Sequence, residues 1–177
     1  MSGRNLIVGV VGLTVGASHT KDYANSDSVK EIVLCDVNES RLSEVSDQYK
    51  ISKTYTDFNK MLKEEELDAI SLAVPNHMHM PLAIRAIETG VHVLCEKPMA
   101  RNTAEAREML DAARTHNKKL MINFNQRFQP ECQALKSVID EGMLGEIYYV
   151  RTIWQPDEVC RGGIRFQPEK KHAVAEQ

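Results

Sequence analysis

The tripeptide Glu96-Lys97-Pro98 sets a carboxylate and an ammonium directly after the apolar run Val91-His-Val-Leu-Cys95, and Pro98 restricts the backbone of Lys97. Charges in that place suit work on a ligand. A lysine near a second positive charge and partly screened from water loses proton affinity, so it can orient or polarise a substrate hydroxyl. The plainer alternative is an ion pair that closes the end of a strand.

Further upstream, Gly12-Leu-Thr14-Val15-Gly16 follows the apolar run Leu6–Val11. Small residues there let a backbone approach a pyrophosphate, and the amides of a helix start supply the positive end of a dipole. The spacing is one residue short of G-x-G-x-x-G, with Thr14 where a glycine would help, so a tight turn that needs glycine for packing is the alternative. Asp36 closes the next apolar run 24 residues after Gly12. That is close to the roughly 20-residue offset at which an acid accepts hydrogen bonds from an adenine ribose. A carboxylate there repels a 2′-phosphate, which favours NAD and makes NADP the lesser expectation, while Arg41 softens the preference. Asp36 also reads as an acid at the start of the helix that follows it. Pro75 and Asn76 form a stiffened turn that offers donors and acceptors to a ribose or an amide, or simply a turn.

These residues need a scaffold that brings them together, and the chain alternates short apolar runs with stretches of helical period. The expected fold class is α/β: a doubly wound parallel sheet of the Rossmann kind, followed by the first strand of an incomplete α+β domain. Strands are expected at Leu6 to Val11, Glu31 to Cys35, Lys53 to Tyr55, Ala69 to Val74, Val91 to Cys95 and Leu120 to Asn123. Helices between them carry Leu82, Ala83, Ala86 and Ile87, then Ala106, Met109, Leu110 and Ala113, on their inner faces. Pro81 suits a first helical turn, Gly90 a left-handed cap, and Asn102 with Glu105 a capping box. A helix is expected from Pro130 to Glu141. In a parallel sheet, ligands bind outside the carboxyl ends of the strands, and that is where the groups above fall, together with Asn123, Asn125 and Arg127. The expected division is residues 1–125 for the nucleotide-binding domain and 126–177 for a linker helix, a strand over Glu146 to Trp154 and a disordered tail. That strand has no sheet to join, so exposed Tyr148, Val150, Ile153 and Trp154 should promote self-association.

With 42% hydrophobic and 27% charged residues and a net charge of −3, the composition is that of a soluble globular protein with no basic excess for nucleic acid. No apolar run reaches the roughly 20 residues of a membrane helix, and no signal peptide precedes the first strand, so a cytoplasmic protein is expected. Four cysteines without a C-x-x-C pair read as reduced and mostly buried, and His77 with His79 is too little for a metal.

Taken together, Val8-Gly9-Val-Val-Gly12 with His19, Asp36-Val-Asn-Glu-Ser-Arg41, Val74-Pro75-Asn76 with His79, His92-Val-Leu-Cys-Glu96-Lys97-Pro98, Asn123-Phe-Asn-Gln-Arg127-Phe128 and Gly142-Met-Leu-Gly145-Glu-Ile give a strong family likeness. The chain resembles the glucose-fructose oxidoreductase, inositol dehydrogenase and MocA (Gfo/Idh/MocA) family over Leu6 to Trp154. That resemblance implies Gly12 and Gly16, with Thr14 and Val15 between them, under the pyrophosphate. It puts Asp36 on the adenine ribose, Pro75, Asn76 and His79 along the cofactor, Glu96 near the nicotinamide ribose, and Asn125 and Arg127 in the cleft. Lys97 would be catalytic, with a cis bond before Pro98. The implied reaction is oxidation of a secondary alcohol of a sugar, cyclitol or related polyol by hydride transfer to NAD, and the implied assembly is a homo-oligomer built through the carboxy-terminal sheet. The family's proton-accepting histidine has no counterpart here, so the chain is expected to be the Rossmann half of a longer enzyme. A non-catalytic nucleotide-binding or regulatory protein is the competing reading.

Overall fold

The structure, a computed structural model, describes residues 5–151. Six strands form one fully parallel sheet in the order β3-β2-β1-β4-β5-β6. They are β1 (Leu6–Val11), β2 (Val29–Cys35), β3 (Thr54–Tyr55), β4 (Ala69–Leu72), β5 (His92–Cys95) and β6 (Leu120–Ile122). Between them run α1 (Leu13–Ala24), α2 (Glu39–Tyr49), α3 (Phe58–Glu64), α4 (Asn76–Glu88) and α5 (Thr103–Thr115). This is the expected doubly wound sheet, and its strand order reverses between β1 and β4.

Alternation along the strands builds a core on each face. On one face Val10, Ile32 and Leu34 pack with Leu13 of α1 and with Leu42 and Val45 of α2. On the other, Val11, Val33, Ile70, Leu72 and Val93 meet Met61 of α3, Ala83, Ala86 and Ile87 of α4, and Met109 and Ala113 of α5. Gly90, at φ +92°, ends α4: its amide donates to Ile87 and that of Val91 to Ala86 (2.9 and 3.0 Å), the double bond of a left-handed cap.

Several expectations need correction. Pro81 does not open α4, because Pro75 is its N-cap and the helix runs from Asn76, which puts Pro81 inside it. The Asn102 side chain does cap α5, accepting from the Glu105 amide at 3.0 Å. Glu105, however, does not return to Asn102, since its carboxylate is taken by the Arg101 amide (3.1 Å) and guanidinium (2.9 Å). The strand expected from Glu146 does not form over residues 146–151, which pair with no strand among the described residues and leave Tyr148, Tyr149 and Val150 exposed. The remainder of that segment and the tail lie outside the described residues.

The described chain falls into two compact units, one ending at Phe124 and one beginning at Asn125. The second contains the 3-10 turn Asn125–Phe128 and α6 (Pro130–Asp140), which stops one residue before the expected Glu141. No helix of the described residues is long and apolar enough to cross a membrane.

Candidate functional site

The residue after each of five strands is held by one more rung of the sheet ladder. The amide of Asp36 donates to Tyr55 (3.1 Å), Gly12 to Cys35 (2.9 Å), Ala73 to Val11 (2.8 Å), Glu96 to Leu72 (2.9 Å) and Asn123 to Cys95 (2.8 Å). A row of special residues therefore stands in register along one edge, with Gly12 and Ala73 facing each other at the reversal of strand order, where open parallel sheets bind ligands.

Gly12 is the N-cap of α1 at φ +82°. A Cβ there would lie 2.4 Å from the Ala73 carbonyl oxygen, and one on Gly16 would lie 2.8 Å from Val10 Cγ1. Both glycines are thus required by strand-to-strand and helix-to-strand packing. The first amide of α1, Leu13, donates to Asp36 Oδ2 at 2.6 Å, and the amides of Thr14 and Val15 find no protein acceptor among the described residues. Arg41 reaches across from α2 to bond the Thr14 hydroxyl. Two open amides at a helix start with a guanidinium beside them are a suitable seat for a pyrophosphate.

Asp36 is buried and accepts a backbone N–H on each oxygen, from Leu13 on Oδ2 and from Asn38 on Oδ1 (2.8 Å). Asn38, not Asp36, caps α2. The carboxylate so ties the end of β2 to the start of α1, with lone pairs left for ribose hydroxyls.

Pro75 and Asn76 are exposed at the start of α4. His79, expected along the cofactor, lies on the buried face of α4. It is fully buried, with Nδ1 2.7 Å from the Pro98 carbonyl and Nε2 2.9 Å from that of Val74, so both ring nitrogens face backbone acceptors and its one N–H serves one of them.

Glu96 anchors a polar cluster that sequence reasoning did not assemble. Its Oε1 accepts from Asn123 Nδ2 at 2.6 Å and meets His19 Nε2 at 3.1 Å, while Oε2 accepts the Lys97 amide at 3.1 Å. His19 Nδ1 is 2.6 Å from the fully buried Ser71 hydroxyl. Burial pushes the Tyr23 phenol above its ordinary value, against the pull of Ser71. The available signal was a hydroxyl inside the apolar strand Ala-Ile-Ser-Leu, and a histidine and tyrosine one turn apart on the inner side of α1. Lys97 itself is exposed, in no ion pair among the described residues, and precedes a cis peptide bond to Pro98 as the resemblance implied. Asn125 and Arg127 belong to the second unit, where both are exposed. Buried Cys35 and Cys95 have thiols pushed up to about 12, by burial first and by the adjoining carboxylates of Asp36 and Glu96 second. No group of three metal-ligating side chains occurs among the described residues.

The model of an oxidoreductase family with an NAD-binding Rossmann fold, Gfo/Idh/MocA, matches residues 5–124. The chain belongs to the Gfo/Idh/MocA family. Within it, the chain is 33% identical over 150 residues to D-glucoside 3-dehydrogenase of Escherichia coli, covering 84% of this chain and 43% of that protein. It is 29% identical over 145 residues to inositol 2-dehydrogenase of Salmonella typhimurium, covering 80% and 43%. Among solved structures it is similar to myo-inositol 2-dehydrogenase of Lactobacillus plantarum (TM-score 0.77, 27% identity, 81% of this chain and 43% of the other). It is also similar to the WlbA dehydrogenase of Bordetella pertussis in complex with NADH and UDP-GlcNAcA (TM-score 0.76, 28% identity, 82% and 45%). The chain thus spans less than half the length of the relatives it matches.

Proposed function

We propose that this chain is the NAD-binding part of an oxidoreductase that moves a hydride between nicotinamide and a secondary alcohol of a sugar, cyclitol or related polyol. The observation that carries the reading is the row of Asp36, Gly12, Ala73, Glu96 and Asn123 set in register along the carboxyl edge of the sheet, with exposed Lys97 next to Glu96. NAD, when bound, supplies the hydride acceptor. The Thr14 and Val15 amides and Arg41 hold its pyrophosphate, and the free lone pairs of Asp36 accept from the adenine ribose. Since the negative charge of Asp36 opposes a 2′-phosphate, NAD is preferred to NADP, with Arg41 limiting the margin. Pro75 and Asn76 border the cofactor. Lys97, in no ion pair among the described residues, orients and polarises the substrate hydroxyl. The family's C-terminal sheet would provide a homo-oligomer contact in a longer protein.

Titrating the purified chain with NADH and NADPH, followed by nicotinamide fluorescence, tests the cofactor reading. Saturable NADH binding, tighter than NADPH and inverted by Asp36→Ser, is expected. Absence of any fluorescence change with folded protein at high concentration overturns it.

A further inference from the structure

We propose that His19 and His79 are a pair of positioning residues that clamp the Glu96-Lys97-Pro98 segment from opposite faces of the sheet and thereby aim Lys97. The proposal rests on the assignment of Lys97 above. His19 comes from α1, on the face lined by Val10 and Leu34, and holds the front of the segment through Glu96 Oε1. His79 comes from α4, on the face lined by Leu72 and Cys95, and holds the rear through the Pro98 carbonyl. Between the two fixed points stands one exposed residue, Lys97, whose amide is itself bonded to Glu96 Oε2.

Each histidine bridges two groups and so transmits position. The far side of His19 is locked by Ser71 of β4, while His79, with one N–H for two facing carbonyls, donates to the nearer, Pro98, and sets Nε2 against the Val74 carbonyl just beyond β4. Both clamps are thus referred to the strand beside the reversal of strand order. With Nε2 facing a carboxylate, His19 donates there and accepts from the Ser71 hydroxyl at Nδ1. The series Ser71, His19, Glu96 has the order of a hydrolytic triad, but Ser71 has no exposed surface, so it cannot meet a substrate. Its role is to set the ring. An imidazole fixed at both nitrogens cannot swing, and the carboxylate it holds keeps one orientation.

The geometry makes a crossed prediction. Glutamine can place an amide nitrogen where a histidine has Nε2, and asparagine where it has Nδ1. His19→Gln therefore keeps the bond to Glu96, whereas His19→Asn loses it. At the other position, His79→Asn keeps the bond to Pro98, whereas His79→Gln loses it. Backbone amide exchange at Lys97 and amide chemical shifts at Lys97 and Met99 read the segment directly. His19→Asn should speed Lys97 exchange about tenfold, the worth of one charge-assisted bond, while His19→Gln stays within about twofold of wild type. His79→Gln should move the Met99 and Lys97 resonances, and His79→Asn should leave them. If the two substitutions act alike at each position, or if Val93 and Ile70 in the sheet change as much as Lys97, the clamp is refuted. Should the variants not fold, the ring of His19 in the unaltered protein decides. Its long-range proton–nitrogen correlations must show the Nε2–H tautomer, and an Nδ1–H ring overturns the proposal. NADH titration of the same sample separates the two readings, because a protein that shows the crossed pattern without binding NADH loses the cofactor assignment and keeps the clamp.

Discussion

Replacing Gly12 with alanine tests whether the turn after β1 is governed by contact with Ala73. The Cβ would stand 2.4 Å from the Ala73 carbonyl oxygen and 2.8 Å from its carbon, both backbone atoms that no side-chain rotation can clear. The residue would also keep φ near +82°. Holding a side chain in a sparse backbone region costs about 1–3 kcal/mol, and forcing packed atoms apart about 1–3 kcal/mol more. The expected loss is about 3–4 kcal/mol, a drop in Tm of about 10 °C for a domain of this size. Gly90 is the internal control, for its φ is +92° but a Cβ there would meet only Lys118 atoms at 3.8 Å. Gly90→Ala should therefore show strain alone, about 1–2 kcal/mol. Equilibrium urea unfolding followed by far-ultraviolet circular dichroism measures both. If Gly12→Ala costs no more than Gly90→Ala, β1 does not abut the end of β4 as described.

Three further outcomes are expected. Asp36→Ala leaves the amides of Leu13 and Asn38 without an acceptor and should destabilise the fold by about 2–4 kcal/mol, at about 1–2 kcal/mol for each amide, measurable by urea unfolding without ligand. Burial pushes Glu65 up, but bonds from Lys53 and Tyr55 bring it below its ordinary value, and Arg101 lowers Glu105. Groups lowered in this way add stability above the unfolded carboxyl range, near pH 4.5, and lose it as pH falls through their folded values. Glu65→Gln and Glu105→Gln should accordingly flatten the fall in Tm below pH 4.5, and an unchanged slope would contradict the lowering. The thiols of Cys35 and Cys95, buried and pushed up to about 12, should resist a thiol reagent at pH 8 in the native state, with peptide mapping showing half-buried Cys132 modified ahead of both.

The sheet was legible because most strands are built on short apolar runs and the helices carry inner stripes. Leu6–Val11 matches to the residue, and the other strands differ by one or two residues at an end. Helix starts were less legible. Pro81 fits a first turn locally, yet Pro75 already supplies a suitable backbone and the helix begins there. Glu105 satisfies a capping box by spacing, but Arg101 offers it a stronger, charged partner. Residues 146–151 have a strand's composition but find no partner among the described residues, and composition alone cannot provide a ladder. In the candidate site, Asp36, Glu96 and Lys97 were visible because polar groups after apolar runs stand out. The cluster around His19 was not, since its partners Ser71 and Glu96 lie 52 and 77 residues away and only the sheet order brings them together.

The central position of β1 bears on how the chain is made. Its first neighbour, β2, follows within a few tens of residues, but its second pairs Val8 with Ala69, 61 residues later. At about 5–20 residues per second, the ribosome needs about 3–12 s to deliver that partner. During this interval one edge of the apolar segment Val8–Val11 stays unpaired, and non-local parallel pairing is slow in any case. The strand that ends in the glycine turn thus precedes the other strands of the sheet and is completed late, so the nascent chain holds open an apolar edge that the finished sheet covers.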